Sequence, residues 1–210
     1  MGVSAIERQA HWQNLYQARA ERDVSWFEES PAVSLDLVRA TGVGLDASII
    51  DIGGGTSRLV DALVAEGFRS VTVLDLSEYA LATSRNRLGP RAERANWTVA
   101  DVTRWQPMQT YDVWHDRAAF HFLTEASDRT TYAECLREAV HPGGHVIIGT
   151  FALDGPQQCS GLPVLRHDAA SIGAILGPSF KLMEARKHGH HTPGGNVQSF
   201  QFSRFRRANS

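Results

Sequence analysis

A glycine-rich stretch, Asp51–Ser57, separates the apolar pair Ile49-Ile50 from an amphipathic segment that starts at Leu59. Glycine has no Cβ atom, so the chain can turn sharply there and a ligand can approach the backbone closely. The segment that follows has the apolar spacing of a helix, whose first N–H groups are unpaired and carry a partial positive charge. The order strand, glycine turn, helix predicts a ligand site at this loop, and a plain tight turn is the alternative.

Two further acidic residues follow the next apolar runs of the chain. Asp75 closes the run 71–74, and Asp101 closes the run 96–100. An acid about 20 residues beyond a glycine loop suits a ribose diol, because each carboxylate oxygen can accept a hydroxyl hydrogen. The carboxyl ends of parallel strands meet at one edge of a sheet, so we expect these two carboxylates to share a rim with that of Asp51.

The loop fits a phosphate-free adenosine cofactor better than a dinucleotide. The position that would carry the third glycine of a dinucleotide fingerprint holds Arg58, whose side chain would hinder close packing of helix on strand. The carboxylate of Asp51 would repel a pyrophosphate but could receive a cationic amino group. S-adenosylmethionine carries an ammonium, a sulfonium and a ribose but no phosphate. A nicotinamide-dependent dehydrogenase is therefore the weaker alternative.

The pattern Asp-x-Gly-x-Gly at residues 51–55, followed by Asp75, resembles that of the class I methyltransferases. Residues 48–151 resemble the core of that family throughout. The nearest likeness is to a group of small lysine methyltransferases that act on elongation factor 1A and citrate synthase, but Asp116-Arg117-Ala118 replaces their usual Asp-Lys-Gly. The resemblance implies S-adenosylmethionine as cofactor, S-adenosylhomocysteine as product, and a hydrogen bond from the adenine amino group to Asp101.

We expect the cofactor to contact the glycine loop, the ends of strands two to four, and an aromatic connector. The connector's ring would cover the sulfonium by cation–π attraction. At the end of the fourth strand, a histidine is assigned to the cofactor. The expected cofactor-binding residues are Trp26, Asp51, Gly53, Gly54, Gly55, Ser57, Asp75, Leu76, Ser77, Asp101, Val102 and His115.

Two residues are candidates for catalysis. A protonated amine or a hydroxyl acceptor needs a base near neutral pH, and histidine suits that task. We interpret His121 as this base, with packing between two phenylalanines as its alternative role. Arg117 is placed to bind an acceptor carboxylate bidentately, or else to pair with Asp116 or Asp128.

Three residues are expected to contact the substrate. Phe120 lies beside the candidate base, and Cys159 lies in a long loop of the kind that often forms a lid. His191 belongs to a group with His188 and His190 beside a late turn. Histidines can bind zinc or iron, but no cysteine pair or carboxylate at ligand spacing accompanies these, so no metal site is predicted.

Apolar strands alternate with helices from residue 48 onward, which predicts an α/β fold with a doubly wound, mostly parallel sheet. Strands are expected near 48–52, 70–75, 96–100, 111–116 and 145–151, and an antiparallel hairpin near 180–188 and 197–206 completes seven. The family resemblance implies the Rossmann-like order 3-2-1-4-5-7-6, with the last strand antiparallel. Residues 1–47 are interpreted as N-terminal helices with an aromatic flap, and residues 48–210 as the methyltransferase core, in one structural domain.

Composition excludes several classes of protein. The chain has 210 residues, a net charge of −2, 42% hydrophobic residues and two cysteines. The lack of long basic or apolar runs predicts no nucleic-acid partner, no membrane segment and, with the few cysteines, a cytoplasmic location. The sequence leaves a monomer or a dimer open.

The functional hypothesis is transfer of a methyl group from S-adenosylmethionine to a nitrogen, oxygen or sulfur atom of a small molecule. A protein-lysine methyltransferase is the first alternative and would show an open acidic groove. A non-catalytic cofactor-binding protein is the second.

Overall fold

The computed structural model describes residues 5–209, and predictions for residues 1–4 and 210 lie outside that range. The helices are α1 (Ala5–Ala18), α2 (Ala32–Arg39), α3 (Leu59–Glu66), α4 (Glu78–Leu88), α5 (Ala126–Ala139) and α6 (Ala169–Leu176). The strands are β1 (Ser48–Ile52), β2 (Ser70–Asp75), β3 (Ala95–Val99), β4 (Tyr111–Arg117), β5 (Val140–Phe151), β6 (Gln158–Cys159), β7 (Leu162–Pro163), β8 (Phe180–His191) and β9 (Val197–Arg207).

Seven of these strands form one sheet in the order β3-β2-β1-β4-β5-β9-β8. The pairs among β1 to β5 are parallel, whereas β9 runs antiparallel to both of its neighbours. Once the small β6–β7 pair is set aside, this is the order 3-2-1-4-5-7-6, and both the predicted fold and the late hairpin are confirmed. The ends of β1, β2 and β3 therefore lie at one rim.

Successive strand residues point to opposite faces of the sheet, and each face has its own core. Ile49 and Val71 are buried on one face with apolar residues of α2, α3 and α4. Ile50 and Trp114 are buried on the other face against α5 and α6. Because both faces are covered, the central strands read as continuous apolar runs, as expected for a parallel sheet.

The fifth strand differs from its prediction. We expected a strand near 145–151, but β5 begins at Val140, directly after α5. Pairing with β4 is irregular between Tyr111 and Val113, which takes up the Pro-Gly-Gly segment. Gly143 supplies the positive φ of 86° that this irregularity needs.

The N-terminal helix lies over the rim of the sheet. The Gln13 side chain of α1 accepts hydrogen bonds from the Ser77 hydroxyl and the Tyr79 N–H at the start of α4. Within residues 5–209 no helix is long and apolar enough to span a bilayer.

Candidate functional site

The loop after β1 is tied to the neighbouring strand and leaves no room for side chains. Gly53 and Gly54 donate N–H groups to the Leu74 carbonyl, at 2.8 and 3.2 Å. Gly53 has a φ of 65°, and a Cβ there would lie 2.6 Å from the Ala119 Cβ. At Gly55 a Cβ would lie 2.6 Å from the Tyr16 hydroxyl. The loop thus presents backbone to the space above it.

Asp51 is buried at the end of β1 beside His115 of β4. Its Oδ1 lies 2.7 Å from His115 Nδ1, and His115 Nε2 lies 2.9 Å from the Ser34 hydroxyl. Asp51 Oδ2 is buried without a hydrogen-bond partner. Both ring nitrogens of His115 have protein partners. A hydrogen bond from the cofactor would therefore go to Asp51 and not to His115.

Asp75 is buried at the end of β2 and accepts the Ser77 N–H at 2.8 Å. Burial raises the pKa of this carboxyl to about 7, and the N–H groups of Ser77, Gly55 and Leu76 only partly oppose that rise. Ser77 itself is fully buried. Its hydroxyl accepts the Ala80 N–H as the cap of α4, which leaves Ser77 to act through Asp75 and the helix instead of touching a ligand directly.

Asp101 is reached by three donors. Its Oδ1 accepts the Thr103 N–H and hydroxyl at 3.0 and 2.7 Å, and its Oδ2 accepts Arg8 Nη2 at 3.0 Å. Arg8 also pairs with Asp128. An ionised carboxylate has about four acceptor positions, so one remains for a further donor.

A cavity runs along the rim between these acids and the aromatic residues of α1 and the connector. It spans about 770 Å³ of space, open solvent included. One end is lined by Asp75, Leu76, Asp101 and Val102, and the other end is lined by Trp12, Trp26, Arg117, Phe122 and Cys159. A second cavity is lined by Asp51, Gly53, Gly54, Ser57 and His115. The two share Tyr16, Trp26, Gly53 and Arg117.

Arg117 lies where the two cavities meet, with its side chain only 13% exposed. Its Nη1 donates to the Trp26 carbonyl, its Nη2 lies 3.0 Å from Glu28 Oε1, and its guanidinium stacks over Phe200. Burial lowers the pKa of Arg117, and the charge of Glu28 opposes that change.

The alternative pairing expected for Arg117, with Asp116 or Asp128, is wrong. Asp116 accepts the N–H groups of Ala119 and Phe120 and the Tyr132 hydroxyl. Asp128 pairs with Arg8. The sequence offered no reason to assign a role to Glu28 or Arg8. Arg117 lies 89 positions from Glu28, and Asp101 lies 93 positions from Arg8. Residue types alone do not reveal such distant pairs.

His121 packs in the interior of the protein, and this position argues against its role as a base. The ring is fully buried against Phe122 and Phe151, and it is absent from the lining of both cavities. Its Nδ1 accepts the Phe151 N–H at 3.3 Å. Burial lowers the pKa of His121 to about 3, which makes it a poor base at neutral pH.

The three residues that were expected to contact the substrate lie in different parts of the structure. Phe120 is buried against Tyr132 and His167 and does not reach the cavity, so its assignment is corrected in favour of Phe122. Cys159 lines the cavity as expected, and burial raises the pKa of its thiol. His191 lies in an open surface groove instead.

The late histidines do not gather into a metal site. His190 donates from Nε2 to the Ser25 carbonyl and lies 3.5 Å from Glu28. Across residues 5–209, no three His, Cys, Asp or Glu side chains are close enough together to hold a metal ion.

Comparison with known proteins agrees with this geometry. The profile of a family described as "Methyltransferase domain" matches residues 49–144. A malonyl-(acyl-carrier protein) O-methyltransferase of Ilyobacter polytropus is 25% identical over 108 residues, which is 51% of this chain and 40% of that protein. EEF1A lysine methyltransferase 2 of Danio rerio is 26% identical over 160 residues, 69% of each chain.

A solved structure shows the same fold. The 1,6-didemethyltoxoflavin-N1-methyltransferase of Burkholderia thailandensis, crystallised with bound 1,6-didemethyltoxoflavin and S-adenosylhomocysteine, superposes with a TM-score of 0.76 at 19% identity. The match covers 99% of this chain and 92% of that one. The matched segment is a methyltransferase domain, and over it the chain is similar to class I S-adenosylmethionine-dependent methyltransferases. It spans between 38% and 69% of the length of the curated relatives it matches.

Proposed function

We propose that this protein transfers the methyl group of S-adenosylmethionine to a small molecule. The observation that carries the proposal is the set of packed aromatic rings that lines the acceptor end of the cavity. Trp12 and Tyr16 of α1 and Trp26 of the connector pack edge-to-face or tilted on one another, with ring centroids 5.8 to 6.2 Å apart. They cover the rim where the three acidic strands end.

The residues at the rim fit the cofactor's polar groups. Asp51 Oδ2 is a buried acceptor without a partner, which suits the ammonium of the methionine part. Asp75 is a buried carboxyl with a raised pKa. Hydroxyl groups that donate hydrogen bonds to its carboxylate, as the ribose diol would, lower that pKa again. Asp101 has one acceptor position left for the adenine amino group. Leu76 and Val102 supply apolar walls beside it.

The bound cofactor supplies an electrophilic methyl group on a sulfonium. The protein's task is to hold an acceptor in line with it and to keep water out. Gly53 brings backbone to the cavity wall, and the rings of Trp12, Trp26 and Phe122 exclude water at the acceptor end. Since the cofactor is the electrophile, the thiol of Cys159 acts as part of the wall.

The acceptor end favours a small molecule over a lysine side chain. The acidic residues that line the main cavity, Asp75 and Asp101, lie at the cofactor end, and the acceptor end carries the cation of Arg117. A lysine ammonium would find no hydrogen-bond acceptor in that guanidinium. The match to an EEF1A lysine methyltransferase keeps the protein acceptor as the second candidate.

The decisive test is transfer of a labelled methyl group into cell extract, followed by separation of protein from small molecules. We expect label in the small-molecule fraction. Label on protein would support the second candidate, and binding of S-adenosylmethionine without transfer to either fraction would support a non-catalytic binding protein. Cytoplasmic location and a monomeric or dimeric state stay predictions from the sequence.

A further inference from the structure

Among residues 5–209, no side chain that lines the acceptor end of the cavity is able to remove a proton near neutral pH. The ionisable residues that line it, outside the assigned acids, are Arg8, Tyr16, Arg117 and Cys159. Both arginines are cations. Burial raises the pKa of the Tyr16 hydroxyl well above its usual value and also raises that of the Cys159 thiol, so neither ionises to become a base.

Neighbouring groups do not fill this gap. Glu28 lines the second cavity and pairs with Arg117, and although burial raises its pKa, the contacts with His190 and Arg117 leave that pKa below its usual range. His115 is held on both ring nitrogens by Asp51 and Ser34. His121 does not line the cavity. An acceptor must therefore arrive already able to attack.

Arg117 provides the complementary charge. Its guanidinium is buried, its Nε has no hydrogen-bond partner, and it lines both cavities where they meet. A buried guanidinium with a free donor stabilises an anion that lies against it. A guanidinium has no acceptor, so it offers a protonated amine no hydrogen bond. Trp12, Trp26 and Phe122 line the remaining wall with aromatic rings, which favour a flat molecule.

From this arrangement we infer that the acceptor is a planar organic anion whose methyl-accepting atom is an ionised oxygen or sulfur, held by Arg117. The inference rests on the proposed function. The acceptor's lone pair forms the new bond to the methyl carbon, the carbon–sulfur bond of the sulfonium breaks, and its electrons remain on sulfur. The anion and the sulfonium both become neutral, and no proton is transferred.

The first measurement uses binding, without turnover. 4-Nitrophenol is titrated into the protein saturated with S-adenosylhomocysteine, and its absorption is followed with pH. We expect the bound probe to remain a phenolate at least about one pH unit below the pH at which the free probe protonates, because a charged hydrogen bond favours the anion about tenfold or more.

Two matched variants isolate the role of Arg117. Arg117→Met should abolish this shift while the affinity for S-adenosylhomocysteine stays within about threefold. Arg204→Met is the control, because Arg204 is equally buried, lies near Glu184 and is remote from both cavities. It should keep the shift. Arg117→Lys retains the positive charge, so a shift that returns in this variant also separates charge from a folding defect.

The second measurement follows methyl transfer to phenols and thiophenols of graded acidity, with aniline and benzylamine as neutral and cationic comparisons. The inflection of kcat/KM with pH should follow the pKa of each acceptor, and the phenol and thiophenol arms identify oxygen or sulfur. Three results would overturn the inference and leave the proposed function intact. They are an inflection at the same pH for all acceptors, a preference for an amine, and binding of only the neutral phenol or of no phenol. Failure to bind S-adenosylhomocysteine would overturn both.

Discussion

Asp51 and His115 are direct partners across the β1–β4 pair, and the histidine sets the orientation of the carboxylate. Because Ser34 of α2 engages the other ring nitrogen, the imidazole is held from both sides. Asp51 Oδ1 is thereby used within the protein, and Oδ2 remains as a buried acceptor without a partner. Both residues of this buried pair also line the second cavity.

Asp51→Asn tests this arrangement. The amide oxygen can still accept from His115, but the charge offered to the cofactor's ammonium is lost. We expect the Kd for S-adenosylmethionine to rise about tenfold or more, as for the loss of a hydrogen bond to a charged group. Calorimetry measures it, with Asp112→Asn as control, since Asp112 lies at the far end of β4 and bonds Ser48 and His141. Equal affinities of the Asp51 variant and the wild type would exclude the ammonium contact.

The pKa of Asp75 predicts how binding depends on pH. Its carboxyl titrates at about 7 in the folded protein, above its ordinary value of 3.8, so the carboxylate is incompletely formed below pH 7. A ribose diol donates to the carboxylate, and affinity for S-adenosylhomocysteine should therefore rise from pH 6 through about pH 8 and then level off. Asp75→Asn should remove this rise. A rise that persists in the variant would assign it to another group, such as Asp116, whose pKa burial raises to about 6.

The same group affects folding without a ligand. The folded pKa of Asp75 exceeds its unfolded value, so its contribution to stability is fully present below about pH 4 and is lost as pH rises through about 7. We expect saturating S-adenosylhomocysteine to raise Tm more at pH 8 than at pH 6, measured by calorimetry at fixed ionic strength. In Asp75→Asn the two increments should agree, and a pH-dependent increment there would contradict the assignment.

His121→Asn separates packing from catalysis. The asparagine amide oxygen can take over the hydrogen bond that His121 Nδ1 accepts from Phe151, but the ring contacts with Phe122 and Phe151 are lost. We expect a lower Tm, with the shape of the pH–rate profile unchanged. A profile that loses a limb in the variant would restore His121 as the base.

The fold was predictable because it depends on local pattern. The apolar runs that end in Asp51, Asp75 and Asp101 and the glycine turn after the first of them are short-range features, and a parallel sheet brings such ends to one rim. The start of β5 directly after α5 was not predicted, because Pro142 and Gly143 are typical of a loop between two elements. Pairing of β5 with β4 and β9 overrides that local signal.

The acceptor end was less predictable because it depends on burial and on distant partners. His121 and Phe122 are adjacent in sequence, yet a short 3₁₀ turn buries the first and brings the second to the cavity. Arg117 was recognised, but its partner Glu28 lies in the connector and is brought close only when that segment folds over the rim. Residue type alone carries neither fact.

Arg8 is the residue whose removal should loosen the N-terminal helix over the cofactor. It joins α1 to Asp101 and Asp128 with its side chain only 15% exposed, and it lines the main cavity. Arg8→Met should speed dissociation of S-adenosylhomocysteine about threefold to tenfold, because charged hydrogen bonds that help to hold the helix in place are lost. Stopped-flow fluorescence of the nearby tryptophans would measure the rate.

Hydrogen exchange gives the complementary readout. In Arg8→Met, amides of α1 should exchange faster while those of β1 and β4 keep their protection, since local opening need not involve the central sheet. Arg19→Met, an exposed arginine just beyond α1, is the matched control and should leave both readouts unchanged. If Arg8→Met alters neither dissociation nor exchange, Gln13 and the aromatic contacts of Trp12 and Tyr16 are sufficient to hold the helix, and access to the cofactor site does not depend on Arg8.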